Sequence, residues 1–86
     1  MFLVDISVVI VNFNGAKFIE ACLDSLFASE ISYAYDVWMV DNASSDNSLE
    51  ILSAYKDRIH LIVNTENTGF SYANNQAIRQ SSGRYF

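Results

Sequence analysis

Proline is absent from this 86-residue chain, so every stop between elements has to come from Gly, Asn, Asp or Ser. Cysteine occurs once, at Cys22, which excludes an intrachain disulfide and a cysteine-only metal cluster and fits a reducing compartment. Cations are scarce: five Lys and Arg stand against ten Asp and Glu, for a formal charge of -5. That balance offers no footprint for nucleic acid and no basic face for anionic lipid. An anionic ligand would have to be held by backbone groups, scattered cations or a metal. Long apolar runs are missing too. The first, Ile6 to Val11, is too short to span a membrane, and Asp5 interrupts any signal-peptide pattern, so the expected location is the cytoplasm.

What is present is a globular composition, 51% hydrophobic and 17% charged, with no repeat and no low-complexity stretch. A single small domain of this size buries only about 60% of its unfolded surface. The β-branched run Ile6–Val11, ended by Asn12, predicts a strand buried on both faces and central in a parallel sheet. Ile19, Leu23, Leu26 and Phe27 fall at helical spacing and predict a first helix over Ala16–Ala28. Val37–Val40 predicts a second strand. The polar turn Asp41–Asp46 after it supplies capping groups, and Asn47 with Glu50 reads as a capping box. Leu49, Leu52 and Tyr55 continue at helical spacing, and Ile59–Val63 predicts a third strand. Ser71 is placed to cap a third helix ending near Gln80, Gly83 to stop it, and Arg84–Phe86 to open a fourth strand. Alternating strands and helices with short connections give an α/β fold, a Rossmann-like parallel sheet with helices on both faces.

In such sheets, ligands bind beyond the carboxyl ends of the strands. Here those ends read Asn12-Phe-Asn14, Asp41-Asn42 and Asn64-Thr-Glu-Asn67. A carboxylate accepts a pyrimidine ring N–H, an amide donates and accepts, and an aromatic such as Phe13 packs on a base or ribose. Asn and Asp also end strands and cap helices for reasons of their own backbone, so each residue taken singly fits either role. Their recurrence at three strand ends favours a nucleoside pocket. No glycine-rich dinucleotide or P-loop signature follows the first strand, where Gly15 stands alone. His60, inside an apolar run and without a second ligand at metal spacing, reads as a satisfied or edge-exposed strand histidine. Trp38 and Met39 read as core, and Cys22 as a small buried hydrophobe. Ser44, Ser45 and Ser48 have no nameable base nearby and read as capping groups.

Four segments in order, Val8–Gly15, Val40–Asp46, Asn64–Phe70 and Asn74–Ile78, with Gly83 leading into a strand, resemble the inverting GT-A glycosyltransferases of family 2, within them the rhamnosyltransferase-like group. The resemblance implies that Asn12, Phe13 and Asn14 line the base and ribose pocket and that Asp41, with Asn42, contacts the pyrimidine. It places Asn67, Gly69 and Asn74 on the diphosphate side; Asn74 stands where many relatives carry arginine. It implies a UDP- or dTDP-sugar donor, hexosyl or rhamnosyl transfer to a glycan or lipid-linked acceptor, and a role in cell-wall or surface polysaccharide synthesis. The family's Mg2+ or Mn2+ motif and its catalytic base fall beyond Phe86, so no catalytic residue and no metal ligand is expected within the chain. Residues 1–86 are thus expected to be the N-terminal nucleotide-binding part of a GT-A domain, truncated at the start of strand four. The longer protein is expected in the cytoplasm or peripheral to the inner membrane face. Two other readings fit the same residues: a non-catalytic nucleotide-binding module, and a fragment that self-associates through its incomplete sheet.

Overall fold

The apolar, β-branched residues between the polar turns build three strands, β1 (Ile6–Asn12), β2 (Tyr35–Asn42) and β3 (His60–Asn64). A computed structural model describes residues 5–29, 33–81 and 83 of the chain. The strands form a parallel sheet in the order β1-β2-β3. Each strand reaches one or two residues further than its apolar core predicts, so the terminal asparagines are part of the sheet. Parallel register sets Asn12 beside Asp41 and Asn42 beside Asn64. The polar strand ends therefore lie along one edge.

Three helices connect and cover the strands: α1 (Ala16–Ala28), α2 (Ser48–Ser53) and α3 (Phe70–Gln80). On one face, Ile19 and Leu23 of α1 and Leu52 of α2 pack with Val37, Met39, Tyr55 and Ile59. Full burial of one such aliphatic side chain is worth about 1.5–3 kcal/mol, and at six residues α2 cannot persist without it. On the other face, Ala73 and Ala77 of α3 pack against Val40, Val9, Val11, Trp38 and Ile62. The buried apolar contact of α3 is thus made by two methyl groups. The connection after α2 is pinned by Tyr55, whose hydroxyl donates to Asp24 at 2.7 Å, and by the Arg58 guanidinium 3.9 Å over the Phe27 ring.

Among the described strands β2 pairs on both sides and β1 pairs with β2. Several local expectations are corrected. Beside β1, the buried Gly83 donates its N–H to Ser7 Oγ at 3.1 Å, and a Cβ there would collide with Ser7. Gly83 is therefore a packing glycine, and α3 ends instead at Ser81 in extended backbone. Ser71 lies inside α3, whose N-cap is Gly69. Asn47 precedes α2 but makes no side-chain cap hydrogen bond, so the capping box does not form. Cys22 is exposed rather than buried. It lines a shallow groove with Ile10, Gly15 and the exposed Phe18, on a flank of α1 that the sheet does not cover. Met39 is core as expected, and Trp38 is half-buried, donating its indole N–H to Asp36 at 3.1 Å. His60 is exposed on β3 and stacks on Trp38 with ring centroids 4.3 Å apart. The expected strand at Arg84–Phe86 lies outside the described residues.

Candidate functional site

The loops after β1 and β2 are joined by side chains. Asn12, 6% exposed, donates its amide to Asp41 Oδ1 at 2.9 Å and to Ser44 Oγ at 3.2 Å. Asp41 is fully buried and also accepts the Ser44 hydroxyl at 2.7 Å on Oδ1 and the Ser44 N–H at 3.0 Å on Oδ2. Asn14 adopts the left-handed conformation (φ 52) that Asn tolerates better than most residues. From there its N–H donates to Ser44 Oγ at 2.9 Å, and its Oδ1 accepts the N–H groups of Ser45 and Asp46 at 2.7 and 3.3 Å. Phe13, between these two asparagines, is half exposed. Ala43 completes the second loop with φ 67, a conformation that costs a non-glycine residue free energy.

The acidic group that serves the helix starts is Asp46. Its Oδ2 accepts the Ala16 N–H at 3.1 Å at the start of α1, and its Oδ1 accepts the Ser48 N–H at 2.9 Å and the Ser48 hydroxyl at the start of α2. The Ser48 hydroxyl bond, with smaller contributions from backbone donors, holds this carboxyl below its ordinary range. One carboxylate thus supplies the capping that Gly15 and Asn47 do not.

A second network forms where β2, β3 and α3 meet. Asn42 Oδ1 accepts from Asn64 Nδ2 (3.1 Å), the Thr68 N–H (3.0 Å) and the Thr68 hydroxyl (3.0 Å). Its Nδ2 donates to Asn67 Oδ1 (3.0 Å) and to the Gly69 carbonyl (3.3 Å). Asn67 Oδ1 in turn accepts the Gly69 N–H at 2.9 Å, and Gly69 takes φ 83, open to glycine. Asn64 and Gln76 exchange amide hydrogen bonds at 2.8 and 3.0 Å.

Of the eight site residues expected, the structure gathers Asn12, Asn14 and Asp41 into the first network, with Phe13 on its loop, and Asn42, Asn67 and Gly69 into the second. Asn74 lies on α3 one turn after Phe70, and among the described residues no hydrogen bond joins its side chain to either network. Ser44, Asp46, Thr68 and Gln76 are the participants that reading along the chain did not assign to the site. Gln76 carried a signal: it follows Ala73 by three positions, on the stripe of α3 that faces the sheet. Among the described residues no three His, Cys, Asp or Glu side chains cluster. Asp41 and Asp46 direct their oxygens to the chain's own donors.

Residues 7–86 match the family model for glycosyl transferase family 2. The poly(ribitol-phosphate) beta-glucosyltransferase of Bacillus spizizenii is 36% identical over 85 residues, covering 93% of this chain and 13% of that protein. The mannosyltransferase PcManGT of Pyrobaculum calidifontis, solved with GDP-Man and Mn2+, superposes with a TM-score of 0.78 at 27% identity, covering 91% of this chain and 24% of that one. Residues 1–349 of TarS from S. aureus, solved with UDP, give a TM-score of 0.79 at 27% identity, over 95% of this chain and 26% of that one. The chain spans between 13% and 26% of the length of these three matched chains. The ordered strand-end motifs, the parallel sheet and the match over nearly all of its residues make this chain a member of glycosyl transferase family 2.

Proposed function

We propose that the chain is the donor-nucleotide-binding part of a nucleotide-sugar-dependent glycosyltransferase, taking a UDP- or dTDP-sugar at the carboxyl edge of its sheet. One observation carries the reading: Asn12, Asp41, Asn42 and Asn64 end three parallel strands side by side, with the half-exposed Phe13 on the adjoining loop. Two similar structures that hold GDP-Man and UDP support it.

In this reading Phe13, Asn12 and Asn14 form the base and ribose side, with Asp41 and Asn42 behind them, while Asn67, Gly69 and Asn74 lie toward the diphosphate. Asp41 Oδ1 already takes two hydrogen bonds and Oδ2 one, so Oδ2 keeps capacity for a pyrimidine ring N–H. Because Asp41 is fully buried, that N–H reaches it only when the turn over it, Ala43 to Ser45, shifts. The transfer itself, to a glycan or lipid-linked hydroxyl in the cytoplasm or at the inner membrane face, belongs to the longer protein. So do the Mg2+ or Mn2+ ion, which would neutralise charge on the leaving diphosphate, and the base that would deprotonate the acceptor. Residues 1–86 alone are expected to transfer no sugar and to bind nucleotide weakly.

The test is calorimetric titration of the complete protein with UDP and dTDP, with and without Mn2+, repeated with Asp41→Ala. Removing a charged acceptor is expected to weaken nucleotide binding by roughly 1.5–3 kcal/mol. Unchanged binding in a folded variant would reject the assignment of Asp41.

A further inference from the structure

Asn42 ends β2 next to the proposed base-reading Asp41, yet no polar atom of its side chain is left for a ligand. A primary amide has two N–H donors and one oxygen with two lone pairs. Here both donors are used, on Asn67 and Gly69, and the oxygen already takes three donors, from Asn64 and Thr68. The residue is 2% exposed. A base or phosphate could bind it only by displacing these partners, of which Asn64 and Thr68 are half-buried and Asn67 and Gly69 exposed.

What those bonds hold is the segment between β3 and α3. Asn67, fixed by Asn42, accepts the N–H of Gly69; Gly69, whose carbonyl Asn42 also holds, takes a left-handed φ that only this anchoring and the lack of a Cβ favour. Behind Asn42, the reciprocal amide pair of Asn64 and Gln76 ties the same point to α3. Gln76, Asn64, Asn42 and Asn67 therefore form a continuous relay of four amides from α3 to the Asn67–Gly69 loop. We infer that Asn42 is a positioning residue: it sets the Asn67–Gly69 loop at the geometry that receives the nucleotide's diphosphate and makes no contact with the nucleotide itself. The inference rests on the donor-nucleotide reading given above.

The experiment compares UDP with uridine, and dTDP with thymidine, by calorimetry on the complete protein carrying Asn42→Asp or Gln76→Ala. Asn42→Asp keeps the shape and the accepting oxygen while turning both donations into repulsions; Gln76→Ala cuts the relay from its far end without touching β2. Expected is a loss of about ten-fold in diphosphate affinity, about 1.4 kcal/mol, with nucleoside affinity within about two-fold of the parent. A parallel loss of nucleoside and diphosphate in both variants would show that the base is the partner and overturn the inference. So would unchanged diphosphate affinity in a folded variant, which leaves the relay a purely structural role. Failure of the parent protein to bind either ligand would overturn the donor-nucleotide reading itself, a result distinct from binding by the parent with no split in the variants.

Discussion

The Asn12 amide donates to the Asp41 carboxylate across 2.9 Å, between two residues that are also register partners at the ends of β1 and β2. The bond fixes the spacing of the two loops because both side chains are buried and Ser44 bonds to both. Asn12→Ala removes the amide and leaves a buried carboxylate short of a donor, which is expected to lower stability by about 1–3 kcal/mol. Gly15→Ala should give a weaker form of the same defect, since its Cβ would collide with Asn12 Oδ1 and push the side chain away. Urea unfolding of the complete protein checks both; a Gly15→Ala variant as stable as the parent would show that Asn12 yields freely.

Ala43 supplies a second test of the same turn. At φ 67 an alanine carries a backbone cost of roughly 1–2 kcal/mol that glycine avoids. Glycine also gains unfolded-state entropy, worth about 0.4–1 kcal/mol in the opposite sense. Ala43→Gly is therefore expected to hold or raise stability by up to about 1.6 kcal/mol, whereas Ala43→Val, β-branched in the same conformation, should destabilise. Thermal unfolding of the pair, compared with the parent, gives the order.

Leu52 joins α2 to the sheet and is fully buried beside Leu23 and Met39. A six-residue helix contributes almost nothing by itself, so this contact decides whether α2 persists. Leu52→Ala should cost about 2–5 kcal/mol and release Ser48 from Asp46, seen as faster amide exchange at Ser48 and Leu49. Slow exchange at those amides in the variant would place the anchoring elsewhere.

The strands and α1 could be read along the chain because each carries its periodicity within a few residues: Ile6–Val11 as a continuous run, Ile19 and Leu23 at helical spacing. The cap of α1 could not. Asp46 reaches Ala16 across 30 positions, so the group that caps α1 is invisible to a window that looks only at neighbours. Cys22 misled as well. It follows Ile19 by three positions, yet the buried residues of α1 are Ile19 and Leu23, and Cys22 is exposed. At the site, the asparagines and Asp41 stood out as strand ends. Their mutual saturation did not, because hydrogen-bond partners such as Gln76 and Thr68 become neighbours only once β2, β3 and α3 are in register.

At acid pH, Asp46 is the group to watch. Its folded carboxyl titrates below the ordinary value of 3.8 because Ser48 and the backbone donors favour the charged form. A depressed folded value means that its stabilisation is complete above the unfolded value and is lost as pH falls through the folded one. Asp46→Asn should therefore reduce stability at neutral pH while narrowing the gap to the parent below pH 3.8. Circular dichroism melts across that range would show the convergence, and parallel curves would deny Asp46 the role of capping anion.

The alkaline limb is set by the opposite case. Tyr55 donates its hydroxyl to Asp24 at 2.7 Å, and that bond, then burial, then the nearby charges of Asp24 and Glu20, push the phenol from 10.0 up to about 12 despite Arg58. A proton held more tightly in the fold than in the unfolded chain stabilises fully below pH 10.0, and that stabilisation drains away as pH rises toward about 12. Tyr55→Phe deletes the proton and the bond together. The variant should be less stable than the parent at neutral pH, because α1 loses its tie to the segment after α2, and the difference should shrink as the parent weakens above pH 10.0. Tyrosine absorbance titration offers a second readout, since the parent should show one phenol ionising later than the rest and the variant should lack it. If the late phenol persists in Tyr55→Phe, the Asp24 bond is not what holds the connection between the two helices.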